Sequence, residues 1–206
     1  SRQFTVENTT GLAVGDTVIV LHPSTAAWLA AMNNGGVTDT NTWKVGEIDV
    51  RYHRYIRAIE GNTITIDAPV FMHLDRSLSQ SYLYKYDRTG VLTNLGIQNL
   101  RIDIDTAGPT AETHSVQAED TWVRDCTILH FWHAGIQFEG STRSTVERVR
   151  ALEPHSIVDG GRRYNFSTYQ AQLILFRDSL ASDARHGFVA NGTSNDSGNV
   201  FLDCVL

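Results

Sequence analysis

The chain has 206 residues, 41% of them hydrophobic, with 17 Lys and Arg against 23 Asp and Glu for a formal charge of −6. This is the composition of a soluble globular protein, long enough for one sizeable core or one core plus a small appendage. The acidic balance, without a basic run, excludes a nucleic-acid binder, and no apolar run approaches the roughly 20 residues of a membrane span.

The chain opens at "SRQFTVENTTG" and closes at "NVFLDCVL", inside what reads as a strand, so it is expected to be a piece of something longer. "FTVENTTGLAVGDTVIVLHP" (4–23) alternates apolar and polar residues around Gly15-Asp16, which predicts a hairpin-like pair of strands. "PSTAAWLAAMNNGG" (23–36) predicts a short helix over 24–33, capped by Ser24 or Thr25 and ended by Asn33-Asn34-Gly35-Gly36. A loop-like stretch, "TDTNTWKVGE" (38–47), follows. "YHRYIRAIEGNTITIDAPVF" (52–71) is the clearest hairpin, turning at Gly61-Asn62 and closed by Pro69. Tyr52, His53, Arg54, Tyr55 and Arg57 present sugar- or acid-binding chemistry, but their alternation on a strand predicts one solvated face. Residues 1–90 thus read as a β-rich region with one helix.

From residue 97 the chain repeats loosely. "QNLRI" (98–102), "RDCTI" (124–128), "ERVRA" (147–151), "RDSLA" (177–181) and "LDCVL" (202–206) lie over one another, their third residues 26, 23, 30 and 25 apart. A second column, "HSVQA" (114–118), "AGIQF" (134–138), "YNFST" (164–168) and "HGFVA" (186–190), aligns Val116, Ile136, Phe166 and Phe188. A period in the twenties with strand-like alternation marks a solenoid. The leucine and asparagine pattern of leucine-rich repeats and the long amphipathic segments of helical repeats are both absent. A parallel β-helix over 91–206 fits best, its coils rising about 4.8 Å each. Cys126 and Cys204 share a column three coils apart, roughly 14 Å, beyond the ~7 Å reach of a disulfide; two free, buried thiols are expected.

The coil pattern, with "GLAVGDTVIV" and "IEGNTITIDAPV" leading into "NLGIQNLRIDID", resembles the pectin-lyase-like superfamily. That superfamily includes polysaccharide lyases, glycoside hydrolases, uronan epimerases and phage tailspikes. The resemblance covers 91–206 well and the earlier part loosely. It implies an all-β fold, a single-stranded right-handed parallel β-helix behind a β-rich N-terminal region. It also implies carbohydrate chemistry on a secreted, extracellular or periplasmic protein.

In this register His133, Arg162, Arg163, Tyr164, Arg185 and His186 converge on one ridge, with His114 at its edge. His155 stands in the longest connection, "EPHSIVDGGRRYN", which is expected to fold over the ridge. The cluster suits β-elimination on an acidic polysaccharide. Arginine's planar fork neutralises the uronate carboxylate, and a base then removes the C5 proton. Arg163 and Arg185 are the expected clamp, His186 or His133 the base, and Tyr164 the proton donor to the leaving oxygen. Arg162, His155 and His114 are expected to contact substrate. A hydrolase would instead need two carboxyls about 5–10 Å apart, from Glu139, Glu153, Asp159 or Asp183. A non-catalytic tailspike- or adhesin-like glycan-binding module is the third reading. No cofactor is expected, and no metal-ligand spacing such as His-Glu-x-x-His occurs. Calcium would draw on Asp103, Asp105, Glu119 and Asp120, whereas Asp125, Asp178 and Asp203 read as an outward polar ladder.

Overall fold

The computed structural model describes residues 1–33, 43–104, 113–191 and 195–206. The predicted helix terminator beyond Asn33, part of the 38–47 loop, Asp105 and residues 192–194 lie outside them. The polypeptide forms two compact units, Ser1–Thr89 and Gly90–Leu206.

The first unit is an antiparallel sheet with one helix. Its elements are β1 (Gln3–Thr5), β2 (Thr17–His22), α1 (Ala26–Ala31), β3 (Val50–Glu60), β4 (Thr63–Ile66) and β5 (Tyr82–Lys85). Helix α1 starts where the sequence predicts: the Thr25 hydroxyl accepts from the Trp28 N–H at 3.1 Å, and Trp28 and Leu29 enter the core. The β3–β4 hairpin also forms as read, with Glu60 facing Thr63 across Gly61-Asn62 and Gly61 at φ 59°. The first predicted hairpin does not form. Strand β1 pairs with β4, and β2 lies between β3 and β5, in the order β1-β4-β3-β2-β5. Eleven residues separate β1 from β2, too many for a tight turn, and the Gly15 N–H donates to the Ile56 carbonyl instead.

The solvated face expected on β3 also needs correction. Val50, Tyr52, Arg54 and Ile56 are its buried side. Arg54, only 1% exposed, donates to the carbonyls of His53 (2.7 Å), Ala68 (3.0 Å) and Pro69 (2.7 Å). A buried guanidinium is tolerated because these acceptors replace its water.

The second unit is a parallel β-helix. Its first coil holds β6 (Leu92–Thr93), β7 (Gly96–Gln98), β8 (Arg101–Asp103) and β9 (Thr113–Val116). The second holds β10 (Ala118–Glu119), β11 (Trp122–Arg124), β12 (Thr127–Leu129) and β13 (Ala134–Glu139). The third holds β14 (Thr145–Glu147), β15 (Arg150–Leu152) and β16 (Tyr164–Tyr169), and the fourth β17 (Leu175–Arg177), β18 (Leu180–Ala181) and β19 (His186–Asn191). Strand β20 (Val200–Leu202) begins a fifth. Equivalent strands form three long parallel sheets, β7-β11-β14-β17-β20, β8-β12-β15-β18 and β9-β13-β16-β19.

The corners explain the repeat. Residues in the left-handed region recur at stacked positions: Asn99, Asp125, Arg148, Asp178 and Asp203 form one column, and Asn94, Asp120, Arg143 and Leu173 another. At three of these corners the next side chain donates to a carbonyl just before it. Cys126 bonds to Arg124 (3.1 Å), Ser144 to Thr142 (3.1 Å) and Ser179 to Arg177 (2.8 Å). Small donors therefore occupy what the sequence presents as an apolar column. The expected outward polar ladder of Asp125, Asp178 and Asp203 is this corner column, with Asp125 paired to Arg148 at 2.7 and 2.8 Å. Both cysteines are free; Cys126 is buried, but Cys204, in the last coil, is only half-buried.

Between the sheets lie Ile128, Ile136, Phe138, Val146, Phe166, Ile174 and Phe176. Phenylalanines stack from coil to coil, Phe166 on Phe188 at 5.0 Å and Phe176 on Phe201 at 4.9 Å. At Gly135 the neighbouring backbone leaves no room for a side chain: an added Cβ would lie 2.6 Å from the Asn165 carbonyl oxygen and 3.0 Å from the Ala151 Cβ. Because the obstruction is backbone, Gly135→Ala is expected to destabilise this unit by about 1–3 kcal/mol in denaturant unfolding. Among the described residues no helix is long and apolar enough to cross a membrane.

Candidate functional site

Strands β13, β16 and β19 begin at one corner, with Ala134, Tyr164 and His186 in a single column. The Tyr164 ring lies between two imidazoles, 5.8 Å from His133 and 5.7 Å from His186. Its hydroxyl oxygen accepts the Gly161 N–H at 3.1 Å and Arg185 Nη1 at 3.4 Å. Backbone bonds fix the arrangement: Tyr164 N–H donates to His133 (3.0 Å) and Arg185 N–H to Arg163 (3.0 Å). Tyr164 is 6% exposed, His133 is half-buried, and Arg185 and His186 are exposed. The corner therefore presents a guanidinium and an imidazole to solvent, with a phenol beneath them.

Other predicted residues are placed differently. Arg163 adopts φ 61° and directs Nη1 to the Ser156 carbonyl and Nη2 to that of Asp183, both at 2.6 Å. It clasps the long connection to the next coil, so of the two expected clamp arginines only Arg185 presents its fork outward. Arg162 lies 4.3 Å over the Trp132 ring and 3.9 Å from Asp159. His155 is exposed on the long connection, its N–H bonded to the Phe131 carbonyl. His114 does not extend the column. Strand β9 sits three residues away from the expected register, placing His114 opposite Gln137 and Val116 opposite Glu139. The left-handed corner, Gln117 beside Gly140 and Gln170, sets this register rather than the apolar anchor.

The carboxylates considered for hydrolysis are dispersed. Glu139 ends β13, far along the strand from His133, while Glu153 lies 3.3 Å from His130 Nε2. Asp183 accepts from the Ser182 hydroxyl at 2.5 Å. Those considered for calcium meet protein cations: Asp103 faces His130 Nδ1 at 2.7 Å, and buried Glu119 is ion-paired with Arg143. Among the described residues no group of three or more metal-ligating side chains gathers.

Sequence reasoning missed two features of the outer surface. One is His130 bridging Asp103 and Glu153 across three coils. The other is a pocket of roughly 350 Å³ on the β11–β14 face, lined by Trp122, Arg124, Arg143 and Glu147 among others. Register would have exposed both, since Trp122 and Thr145 share one column and Arg124 and Glu147 the next.

No protein-family model and no curated protein matches the sequence. Solved structures do. The tailspike gp61 of Pseudomonas phage phi297 superposes with a TM-score of 0.66 at 16% identity, over 99% of this chain and 32% of that one. The gp54 tailspike of Acinetobacter baumannii bacteriophage AP22, solved with A. baumannii capsular saccharide, gives 0.55 at 10% identity over 100% and 32%. The tailspike gp49 of Pseudomonas phage LKA1 gives 0.52 at 13% identity over 99% and 36%. The chain spans about a third of each tailspike, and its fold is theirs, the right-handed parallel β-helix.

Proposed function

We propose that this chain is the glycan-acting part of a tailspike-like protein working outside the cell, and that it cleaves a uronic-acid-containing polysaccharide by β-elimination. The observation that carries this reading is the Tyr164 corner, where Arg185 and His186 stand exposed side by side over a fixed phenol. The shared fold with a tailspike solved with a capsular saccharide supports the substrate class and no more.

The chemistry follows from the groups present. The Arg185 fork pairs with the sugar carboxylate and stabilises the charge that develops there as C5 loses its proton. The His186 imidazole takes that proton. The electron pair left at C5 forms the C4–C5 double bond while the C4–O bond breaks, and the leaving oxygen recovers the proton from the imidazolium. Tyr164, held by Gly161 and largely covered, orients Arg185; this departs from its expected role as proton donor. His133 packs on the other side of the Tyr164 ring, and Arg162 and His155 border the corner on the long connection.

Incubation with a panel of uronic-acid polymers tests this directly. Elimination yields unsaturated chain ends that absorb in the ultraviolet, one for each new reducing end. Reducing ends without that absorbance would establish hydrolysis instead, and no cleavage of any polymer would leave a binding module.

A further inference from the structure

We propose a second glycan subsite on the outer face of the β7-β11-β14-β17-β20 sheet, one that takes an uncharged pyranose. It rests on the reading above in assigning the acidic residue of the same polymer to the Tyr164 corner. The outward column there runs Gly96, Trp122, Thr145, Leu175. The Trp122 indole lies over Gly96 so closely that any Cβ at that glycine would overlap the ring. The coil beneath thus holds the indole in place without any ligand. On the other side stands the small Thr145, and the step from tryptophan to threonine opens the pocket.

Its polar walls select the ligand class. Asp120 and Glu147 line it with carboxylates and Arg124 and Arg143 with guanidinium groups, so charges of both signs face the ligand. Protein contacts fix the four groups before any ligand arrives. Arg124 Nε donates to Gln98 at 2.7 Å, Arg143 Nε lies 3.6 Å from Asp120, and Glu147 lies 2.7 Å from Arg148. An apolar ligand would strand these charges, and a uronate would bring a third anion against two carboxylates. A neutral sugar satisfies the site on both counts. Its C–H face covers the indole, and its hydroxyls donate to the carboxylates and accept from the guanidinium groups. A polymer that fills both sites is therefore a heteropolysaccharide with both neutral and acidic residues.

The test is an array of neutral, acidic and mixed oligosaccharides probed with the wild type and three variants. Trp122→Ala and Thr145→Leu are expected to bind neutral-residue glycans about tenfold more weakly, whereas Trp122→Phe binds them within about threefold of wild type. Thr145→Leu fills the pocket with the side chain the next coil carries at Leu175 and leaves Trp122 seated, so it decides the matter if Trp122→Ala fails to fold. Undiminished binding by Thr145→Leu would overturn the proposal. So would a wild type that holds only fully acidic glycans, or none. Absence of elimination together with the expected binding pattern would overturn the lyase reading alone.

Discussion

In a His186→Ala protein, elimination is expected to fall about 10²–10⁴-fold, while the Kd for a uronic-acid oligosaccharide stays within about twofold of wild type. His186 is exposed, and its side chain is not part of the core that holds β19. What places the residue is main-chain pairing with Tyr164, which alanine preserves. The substitution therefore removes the base and leaves the coil and the Arg185 fork intact. Arg185→Ala should raise KM, because the guanidinium meets the carboxylate in the bound substrate, and lower kcat as well, because charge grows on that carboxylate in the transition state. Lysine at 185 should recover only part of this, since an ammonium has no planar fork. Initial rates by ultraviolet absorbance and binding by calorimetry separate the two effects. An unchanged kcat in His186→Ala would remove His186 from the mechanism, whatever becomes of the substrate class.

The coil register was legible in the sequence wherever a column repeats the same local demand. Gln98, Arg124, Glu147, Arg177 and Leu202 pair as their alignment implies, because each precedes a left-handed corner that takes Asn, Asp or Arg. The first coil was misread by three residues because Val116 passes for an apolar anchor when only side-chain type is weighed. Gln117 at the corner was the stronger constraint, and glutamine carries no obvious turn signal. At the site, the meeting of His133, Tyr164, Arg185 and His186 could be read from register alone. The commitment of Arg163 to two carbonyls could not, because it depends on the path of the 153–163 connection. The Trp122 pocket depends on size contrast between stacked neighbours, a pattern visible only after the coils are aligned. Arg54 was missed for a different reason: sequence alternation assigns an arginine to solvent unless the carbonyls that surround it are known.

The largest stability effect is expected at Arg143, in the same corner that borders the Trp122 pocket. Glu119 is 1% exposed, and Arg143 is its ion-pair partner from the next coil. Removing one member of a buried pair leaves the other charge in a medium that solvates it poorly. Arg143→Ala should accordingly cost this unit about 3–5 kcal/mol, read as a lower denaturation midpoint with unchanged slope. Backbone strain does not confuse the result: Arg143 already adopts φ 50°, and alanine bears the same Cβ there. Adding Glu119→Gln to Arg143→Ala should restore much of the loss, because a neutral amide costs less to bury than a lone carboxylate. The cycle formed by the wild type, the two single variants and the double variant then yields the coupling energy between the two side chains. Additive effects would show that Arg143 acts through its contacts at the corner, Asp120 included, and that Glu119 is held by other means.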